Sequence, residues 1–316
     1  HQCGFQINRN CDDVLTTFIT DIQTSFDMLS DTDVVFTDYS KAYDTVWHNG
    51  LIFRLMSEGI KGPILKVLIS FIKSRATKVI LKNSESHFKH QMIGVPQGSA
   101  LSPILYILFT NSYKLRNPKF VKIASFADDI AFWTSPGSKD KFRHKMLQKE
   151  LNHFSDWSNK WQMFLNAKKC GSMSFSKCDD IKEKYTSESD ETTQQTTLWS
   201  KYTINGNKLK YHKTERYLGV IFDERLNFKA QIRHVMAKVA CQLNRLHYLI
   251  NAGYDLSPQS LSLLYKALAR SSMEYGLIHY LPMDTNNEIQ KAQNKFLRLI
   301  IPSRLDMPMD QMQMIT

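Results

Sequence analysis

The chain has 316 residues, and its 41 Lys and Arg side chains outnumber its 30 Asp and Glu side chains, which gives a formal charge of +11 at pH 7. This length suits one large domain or two moderate ones, and the charge favours a polyanionic partner. The apolar stretches are too short to span a membrane and no signal peptide is visible. Five cysteines without metal-ligand spacing argue against a zinc or disulfide framework and favour reduced intracellular thiols.

Apolar periodicity predicts helices and short strands in the first part of the chain. Residues 12–29 have the spacing of an amphipathic helix, and an apolar strand follows and ends at Asp38. Two helices, a hairpin and an apolar helix come next, and Ser102 is the predicted cap of that last helix with Pro103 at its first position. The predicted ranges are 51–59 and 64–74 for the two helices, 77–81 and 88–92 for the hairpin, and 104–115 for the apolar helix.

The middle of the chain predicts a second hairpin, with acids at its tip. Apolar residues at 121–125 and 130–133 flank the string Phe126-Ala127-Asp128-Asp129, which is the pattern of two strands joined by a turn. A long amphipathic helix over residues 139–161 and a strand over residues 173–175 follow. Together with the first strand, this order indicates an α+β fold built on a ferredoxin-like split βαβ sheet.

The composition changes in the last part of the chain. Residues 177–200 are polar and acidic, which predicts a mobile insertion, and a hairpin through Asn205-Gly206 follows. From residue 228 the periodicity is helical and basic side chains are frequent. The predicted helices cover residues 228–250, 258–270 and 287–300.

Three carboxylates, those of Asp38, Asp128 and Asp129, stand at predicted strand ends. Carboxylates held at neighbouring strand ends repel one another unless a cation lies between them. Hard oxygen ligands select Mg²⁺ or Mn²⁺ over zinc, and a pair of such ions is the machinery of two-metal phosphoryl transfer. An isolated Asp-Asp pair is more often a solvated turn, so the hypothesis depends on the sequence around it.

Five segments stand in one order around these acids: DYSKAYDTVWH at 38–48, GVPQGSALSP at 94–103, FADD at 126–129, NAKKC at 166–170 and RYLGVIFD at 216–223. Together they resemble the reverse transcriptases of non-LTR retrotransposons of the jockey type. The resemblance extends from about residue 2 to residue 228 and more faintly through the C-terminal helices. It implies a polymerase right-hand palm with partial fingers and a helical thumb.

The resemblance also implies a role for individual residues around the acids. Asp38 and Asp128 would carry two Mg²⁺ ions, with Mn²⁺ as the alternative, and Asp129 would support them. Lys169 matches a lysine near the triphosphate that protonates the leaving pyrophosphate, although Lys168 leaves a one-residue ambiguity.

Other residues match family positions that contact the substrates. Tyr43 occupies the steric-gate position, where a ring crowds a nucleotide 2′-hydroxyl. The purely structural alternative is that Tyr43 is a core tyrosine at a strand-to-helix junction. Gln97 and Gly98 would contact the nucleotide, because glycine permits close backbone approach and the amide bonds a base or sugar edge. The predicted primer grip is Tyr217, Leu218 and Gly219, for which a plain edge hairpin is the alternative.

The resemblance divides the chain into five parts. They are the end of the fingers at 1–32, the palm with embedded finger helices at 33–176, the mobile insertion at 177–200, the primer-grip hairpin at 201–227 and the helical thumb and connection at 228–316. Gln6 stands where the last finger motif of the family usually has arginine, the preceding finger strands and an endonuclease domain are not seen, and the first residue is His1. We therefore expect a piece of a longer polyprotein that binds primer–template but extends it poorly by itself.

The function that the resemblance implies is RNA-directed DNA polymerisation. The expected partners are an RNA template, a DNA primer and deoxynucleoside triphosphates, with no membrane, in ribonucleoprotein of the nucleus and cytoplasm. A truncated, inactive nucleic-acid-binding remnant is the alternative. An RNA-recognition fold shares the element order but has no use for three converging acids, and Tyr43 disfavours a viral RNA polymerase.

Overall fold

The structure is a computed structural model that describes residues 2–82, 84–137, 140–177, 185–189, 196–254 and 256–300. The chain forms two compact units, His1–Lys213 and Thr214–Thr316. The division falls inside the segment 201–227, which we predicted to be one primer-grip hairpin. No helix in the described ranges is both long and apolar enough to cross a bilayer.

The first unit combines five helices and eleven strands within the described residues. The helices are α1 (Cys11–Asp27), α2 (His48–Ser57), α3 (Gly62–Lys73), α4 (Leu101–Thr110) and α5 (Asp140–Lys160). The strands are β1 (Thr32–Thr37), β2 (Ala76–Thr77), β3 (Ile80–Leu81), β4 (Ser84–Glu85), β5 (Lys89–His90), β6 (Val121–Phe126), β7 (Asp129–Thr134), β8 (Gly171–Phe175), β9 (Tyr185–Ser189), β10 (Thr196–Ile204) and β11 (Asn207–Tyr211).

One large sheet organises this unit. Among the described residues its strand order is β6-β7-β1-β8-β11-β10-β9, and β2 with β5 and β3 with β4 form a separate small hairpin. The parallel pair is β8 with β11, and the other neighbours in the large sheet run antiparallel. Every residue of β1 is buried, the polar Thr32, Asp33 and Thr37 included, because the strand lies between β7 and β8.

Helices cover both faces of the sheet. On one face the ring of Phe18 in α1 meets Phe36, Trp133 and Phe175 edge to face, at centroid distances of 6.3, 5.2 and 5.8 Å. On the other face Val35 belongs to a core that includes apolar residues of α4 and α5. The alternation of side chains along β1 therefore feeds two separate cores.

Two buried carboxylates join elements of this unit, one within the large sheet and one between α5 and the loop before β6. Asp33 in β1 is 3% exposed and accepts hydrogen bonds from the Ser174 and Tyr202 hydroxyls, each at 2.7 Å, which joins β1 to β8 and β10. Glu150 in α5 is fully buried and accepts from the Tyr113 hydroxyl at 2.5 Å and from the Arg116 backbone N–H at 3.1 Å. Buried charges require such partners, and Glu150 thereby fixes the loop that leads into β6.

Two local predictions are corrected by the structure. The apolar helix begins at Leu101 and ends at Thr110, so Ser102 lies inside it, and the Ser102 hydroxyl donates to the Pro96 carbonyl at 2.6 Å instead of capping the helix. In the predicted insertion 177–200, residues 185–189 and 196–200 are paired strands that extend the large sheet. The rest of that prediction, at residues 178–184 and 190–195, lies outside the described residues.

The second unit is a hairpin followed by helices. Its elements among the described residues are β12 (Thr214–Tyr217), β13 (Val220–Asp223), α6 (Lys229–Asn251), α7 (Pro258–Leu264), a π-helical turn (Tyr265–Arg270), α8 (Ser271–Glu274), α9 (Leu277–Tyr280), a 3₁₀ turn (Leu281–Met283) and α10 (Glu288–Ile300). The Gln231 side chain on α6 accepts from the Ile221 backbone N–H at 3.0 Å, which attaches the hairpin to this unit. The three helices predicted after residue 228 are confirmed, and the second of them continues through the π-helical turn into α8.

Candidate active site

The acidic turn is positioned by strand register. In the β6–β7 hairpin Phe126 faces Asp129, so that Ala127 and Asp128 form a two-residue turn with Asp128 exposed. Ala127 has a left-handed φ of +58°, which tight turns demand and which costs energy outside glycine. The predicted hairpin tipped by carboxylates is therefore confirmed.

A short segment at the start of the chain supports this strained turn. The Gln2 side chain accepts from the Ala127 N–H at 3.0 Å and donates to the Ala127 carbonyl at 3.2 Å, while the Cys3 N–H donates to the Ser125 carbonyl at 2.9 Å. A Cβ on Gly4 would lie 2.5 Å from the Ala127 nitrogen, so only glycine allows this approach. These supporting roles of Gln2 and Gly4 were missed in the sequence, although the Gln-x-Gly-Phe string contained both residues.

Asp38 follows β1 directly and lies next to the acidic hairpin. Thr37 pairs with Ile130, so the antiparallel register brings Asp38 alongside Asp129. The Asp38 backbone is fixed on its other side, since its N–H donates to the Cys170 Sγ at 3.4 Å and its carbonyl accepts from the Asn166 N–H at 2.9 Å. Two strands and the 166–170 loop therefore hold Asp38.

The electrostatics of the three acids show their proximity. The pKa of Asp129 is raised, first by lost hydration and then by the negative charges of Asp128 and Asp38. The Asp38 Oδ1 is buried and accepts no hydrogen bond from the described residues, and the Lys169 Nζ lies 3.7 Å from it. The acids thus repel one another, and Lys169 offsets part of the charge on one side.

The donor set suits a hard divalent cation. It consists of carboxylate oxygens, one of them buried without a hydrogen-bond donor in the described part of the chain. Among the described residues, no group of three or more His, Cys, Asp or Glu side chains has the geometry of a metal site. Asp38, Asp128 and Asp129 are therefore neighbours with suitable chemistry whose side chains do not form a single coordination sphere.

Tyr43 lies beside this acidic cluster and has a fixed ring plane. Its ring stacks on the buried Tyr106 ring at a centroid distance of 4.8 Å and an interplanar angle of 13°. Burial raises the pKa of the Tyr43 phenol, and the charge of Asp128 raises it further. Tyr43 is half-buried, so one part of the ring packs in the core while the other part stays accessible near Asp128.

The glycine-containing loop docks on the segment that follows Asp38. The Gly94 N–H donates to the Val46 carbonyl and the Val95 N–H donates to the Tyr43 carbonyl, both at 2.8 Å. The Gly94 carbonyl lies 2.8 Å from the Nε2 of His48 and also accepts from the Arg75 guanidinium. These contacts attach the loop to the backbone of Tyr43.

Gln97 and Gly98 occupy the far end of this loop. The Gln97 amide donates to the Asp44 carboxylate at 3.0 Å, so in this structure it is bonded within the protein. Gly98 has a φ of +85° with open space where a Cβ would stand. That open backbone is consistent with close approach of a ligand, which stays a prediction.

The comparisons with known proteins decide the family. The model of the family "Reverse transcriptase (RNA-dependent DNA polymerase)" matches residues 1–222. The chain belongs to the reverse transcriptase family. The predicted α+β class and palm organisation are thereby confirmed, and members of this family generally use divalent metal ions.

The chain is similar to reverse transcriptases of mobile elements from flies. It is 29% identical over 277 residues to the RNA-directed DNA polymerase from mobile element jockey of Drosophila funebris, covering 84% of this chain and 28% of that protein. It is 27% identical over 308 residues to the probable RNA-directed DNA polymerase from transposon BS of Drosophila melanogaster, covering 95% of this chain and 32% of that protein. The chain therefore spans less than a third of either relative.

Similarity to solved structures is weaker. The telomerase from Candida albicans in complex with a TWJ fragment of telomeric RNA aligns with a TM-score of 0.48 and 13% identity, covering 99% of this chain and 55% of that one.

The predicted primer grip of this chain is a packed hairpin tip in the second unit. Tyr217 and Leu218 are 4% and 8% exposed, so their side chains face the protein. Tyr275 donates to the Leu218 carbonyl at 2.7 Å, and its ring would lie 2.8 Å from a Cβ on Gly219. Gly219 is therefore required for packing against Tyr275, and its role toward a primer stays a prediction.

Replacement of Gly94 by Ala should destabilise the chain more than replacement of Gly98 by Ala. Both positions have a left-handed φ, which costs about 1–2 kcal/mol with a Cβ. At Gly94 the Cβ would also lie 2.7 Å from the Asp44 carbonyl oxygen, whereas at Gly98 it meets open space. Urea unfolding of the two variants measures the difference, and equal losses would contradict the docking of the loop.

Replacement of Asp128 by Asn should relieve the repulsion on Asp129. A raised pKa of Asp129 means that the folded chain binds this proton more tightly than the unfolded chain, so stability falls as pH rises above the ordinary Asp value of about 4. Without Asp128 this fall should be smaller. Unfolding in EDTA from pH 4 to 7 checks this, with Asp156→Asn, an exposed acid on α5, as the control. Parallel stability curves for parent and Asp128→Asn would show that the charges do not interact.

Proposed function

We propose that this chain contains the catalytic centre of an RNA-directed DNA polymerase that extends a DNA primer on an RNA template. The observation that carries this proposal is the β1–β7 register, which brings Asp38 alongside Asp129 at the acidic turn. The raised pKa of Asp129 supports it, because the charges of Asp128 and Asp38 add to the effect of lost hydration, which is its main cause. The jockey and BS relatives are named as RNA-directed DNA polymerases, which supports the choice of template and product.

In this proposal the three acids would hold two divalent ions, with Mg²⁺ as the expected metal. Asp38 and Asp128 would be the principal ligands and Asp129 the supporting one. When bound, such ions lower the pKa of a primer 3′-hydroxyl and stabilise charge on the leaving pyrophosphate. The buried Asp38 Oδ1, which receives no hydrogen bond from the described residues, is the oxygen that most needs a cation.

Lys169 supports the leaving group in the same proposal. Its ammonium lies 3.7 Å from the Asp38 Oδ1 and is largely exposed, so it can turn from that carboxylate toward a bound triphosphate. There it would neutralise charge on the leaving oxygens and donate a proton to the pyrophosphate. The geometry favours Lys169 over Lys168 for this role, because Lys169 is the one that forms the ion pair with Asp38.

Tyr43 and the loop around Gln97 position the incoming nucleotide. The stack on Tyr106 holds the Tyr43 ring beside Asp128, where it would crowd a 2′-hydroxyl and favour deoxynucleotides. Backbone hydrogen bonds from Val95 and Gly94 hold the loop next to Tyr43, and the backbone of Gly98 is open to the ligand. Positioning of this kind supplies much of the rate enhancement in phosphoryl transfer.

Replacement of Asp38 or Asp128 by Asn should abolish most primer extension. Loss of a carboxylate that would bind the metal ions should lower the rate by about a thousandfold or more, and Asp129→Asn should cost less. The assay is single-nucleotide extension on an RNA template with Mg²⁺, with the chain expressed within its complete open reading frame. Asp156→Asn removes an exposed acid of α5 and should leave the rate unchanged. Near-normal extension by the Asp38 variant would refute the proposal.

Replacement of Tyr43 by Ala should admit ribonucleotides, whereas Tyr43→Phe should not. Phenylalanine keeps the ring that stacks on Tyr106, and alanine removes it. The measurement is the ratio of ribonucleotide to deoxynucleotide incorporation in the parent and both variants. An unchanged ratio in the alanine variant would make Tyr43 a packing residue only.

A further inference from the structure

A basic groove lies on the large sheet beyond the acidic cluster. It is a cavity of about 610 Å³ in the first unit, lined among the described residues by the 165–168 loop on one side and by β10 and β11 on the other. The side chains that matter for its chemistry are Ser40, Asn166, Lys168, Trp199, Lys208 and Lys210. Its size lies within the range of pockets that hold a nucleotide-sized ligand.

Strand register places the groove on the face of the sheet that α1 covers farther along. Lys210 pairs with Gly171, and Gly171 pairs with Phe36, so Lys210 shares the face of Phe36. Leu209 and Lys210 point to opposite faces, and Leu209 is buried in the core that α5 covers. The groove is therefore an open part of the face that does not carry α5.

The lysines of the groove form no ion pair with the described residues and do not protect a sheet edge. Lys168, Lys208 and Lys210 are exposed, and none of them pairs with a carboxylate in the described part of the chain. Lysines often protect the edge strand of a sheet, but β11 lies between β8 and β10 and has no free edge. No Asp or Glu belongs to the described lining, so the three positive charges act together.

An aromatic ring stands next to these charges. Trp199 is half-buried, lines the groove and is the direct cross-strand partner of Lys210. Cross-strand partners lie on the same face of a sheet, so the indole and the ammonium groups point the same way. A positive groove with an aromatic side chain is the combination that binds single-stranded nucleic acid, through phosphates on lysines and a base on the ring.

We infer that this groove binds a single strand of nucleic acid, with phosphates at Lys168, Lys208 and Lys210 and a base stacked on Trp199. The bound nucleic-acid strand passes beside the loop that carries Lys169. The groove therefore gives the first unit a nucleic-acid contact outside the acidic cluster. Strand binding here needs neither metal nor nucleotide, and it goes beyond the proposed polymerisation.

The test is the binding of fluorescein-labelled 12-nucleotide strands of RNA and of DNA, measured by fluorescence anisotropy in EDTA over a salt series. The variant Lys208→Ala/Lys210→Ala should bind roughly tenfold more weakly at low salt, and its slope of log affinity against log salt should fall by about 1.4, since each phosphate contact on a single strand contributes about 0.7. A loss in either the RNA or the DNA arm supports the groove, and the arm that loses more identifies the strand.

A matched control separates this site from general charge. Lys145→Ala/Lys149→Ala removes two exposed lysines of α5, on the opposite face, and lowers the formal charge equally. It should keep the parent slope, and thermal unfolding first shows that both double variants are folded. Equal affinities and slopes for the two double variants would overturn the inference.

Trp199 is tested with a strand that lacks bases. The parent should bind an abasic 12-nucleotide strand about tenfold more weakly than the normal strand, because stacking is lost. In Trp199→Leu this difference between the two strands should shrink, whatever the overall affinity. An undiminished difference would remove Trp199 from the site. Since no nucleotide is added, strand binding here together with near-normal primer extension by the Asp38→Asn variant would keep this inference and refute the proposed function.

Discussion

The antiparallel pairing of β1 with β7 is the constraint on which the rest of the site depends. It aligns Thr37 with Ile130 and so places Asp38 next to the acidic turn. A shift by one residue would send the side chains of β1 to the wrong face, and both cores would lose their apolar partners. The burial that fixes the register therefore also forces carboxylates together against their mutual repulsion. Lost hydration is the main cause of the raised pKa of Asp129, and the negative charges of Asp128 and Asp38 raise it further.

Several elements around the β1–β7 pair hold the acidic residues in place. Gln2 supports the left-handed Ala127. The Cys170 thiol and the backbone N–H of Asn166 fix the Asp38 backbone, and the Val95 N–H bonds the glycine loop to the Tyr43 carbonyl. Most of these contacts use backbone groups, which positions the acids without placing competing side chains on them. In the proposed catalytic centre, the carboxylate oxygens would bind a cation, and Lys169 lies beside Asp38.

The sheet also extends well past the acids. The strands β9, β10 and β11 join it through the parallel pair with β8, and they carry the groove lined by Trp199 and Lys210. The loop between α5 and β8 serves both places, since Lys169 pairs with Asp38 and Lys168 lines the groove. Adjacent residues of one loop thus connect the proposed catalytic centre to the proposed strand site.

The sequence by itself determined the family, the α+β class, the order of the main helices and strands, and the hairpin that carries Asp128 and Asp129. These follow from local information, because apolar periodicity and turn residues report on the segment that contains them. Tertiary structure alone decided how distant segments meet. Tyr275 packs against Leu218 and Gly219, and the strands of a polar segment join the large sheet because β11 pairs with the distant β8. Such outcomes depend on hydrogen-bond partners and burial supplied by residues far away in the chain, which no local pattern encodes.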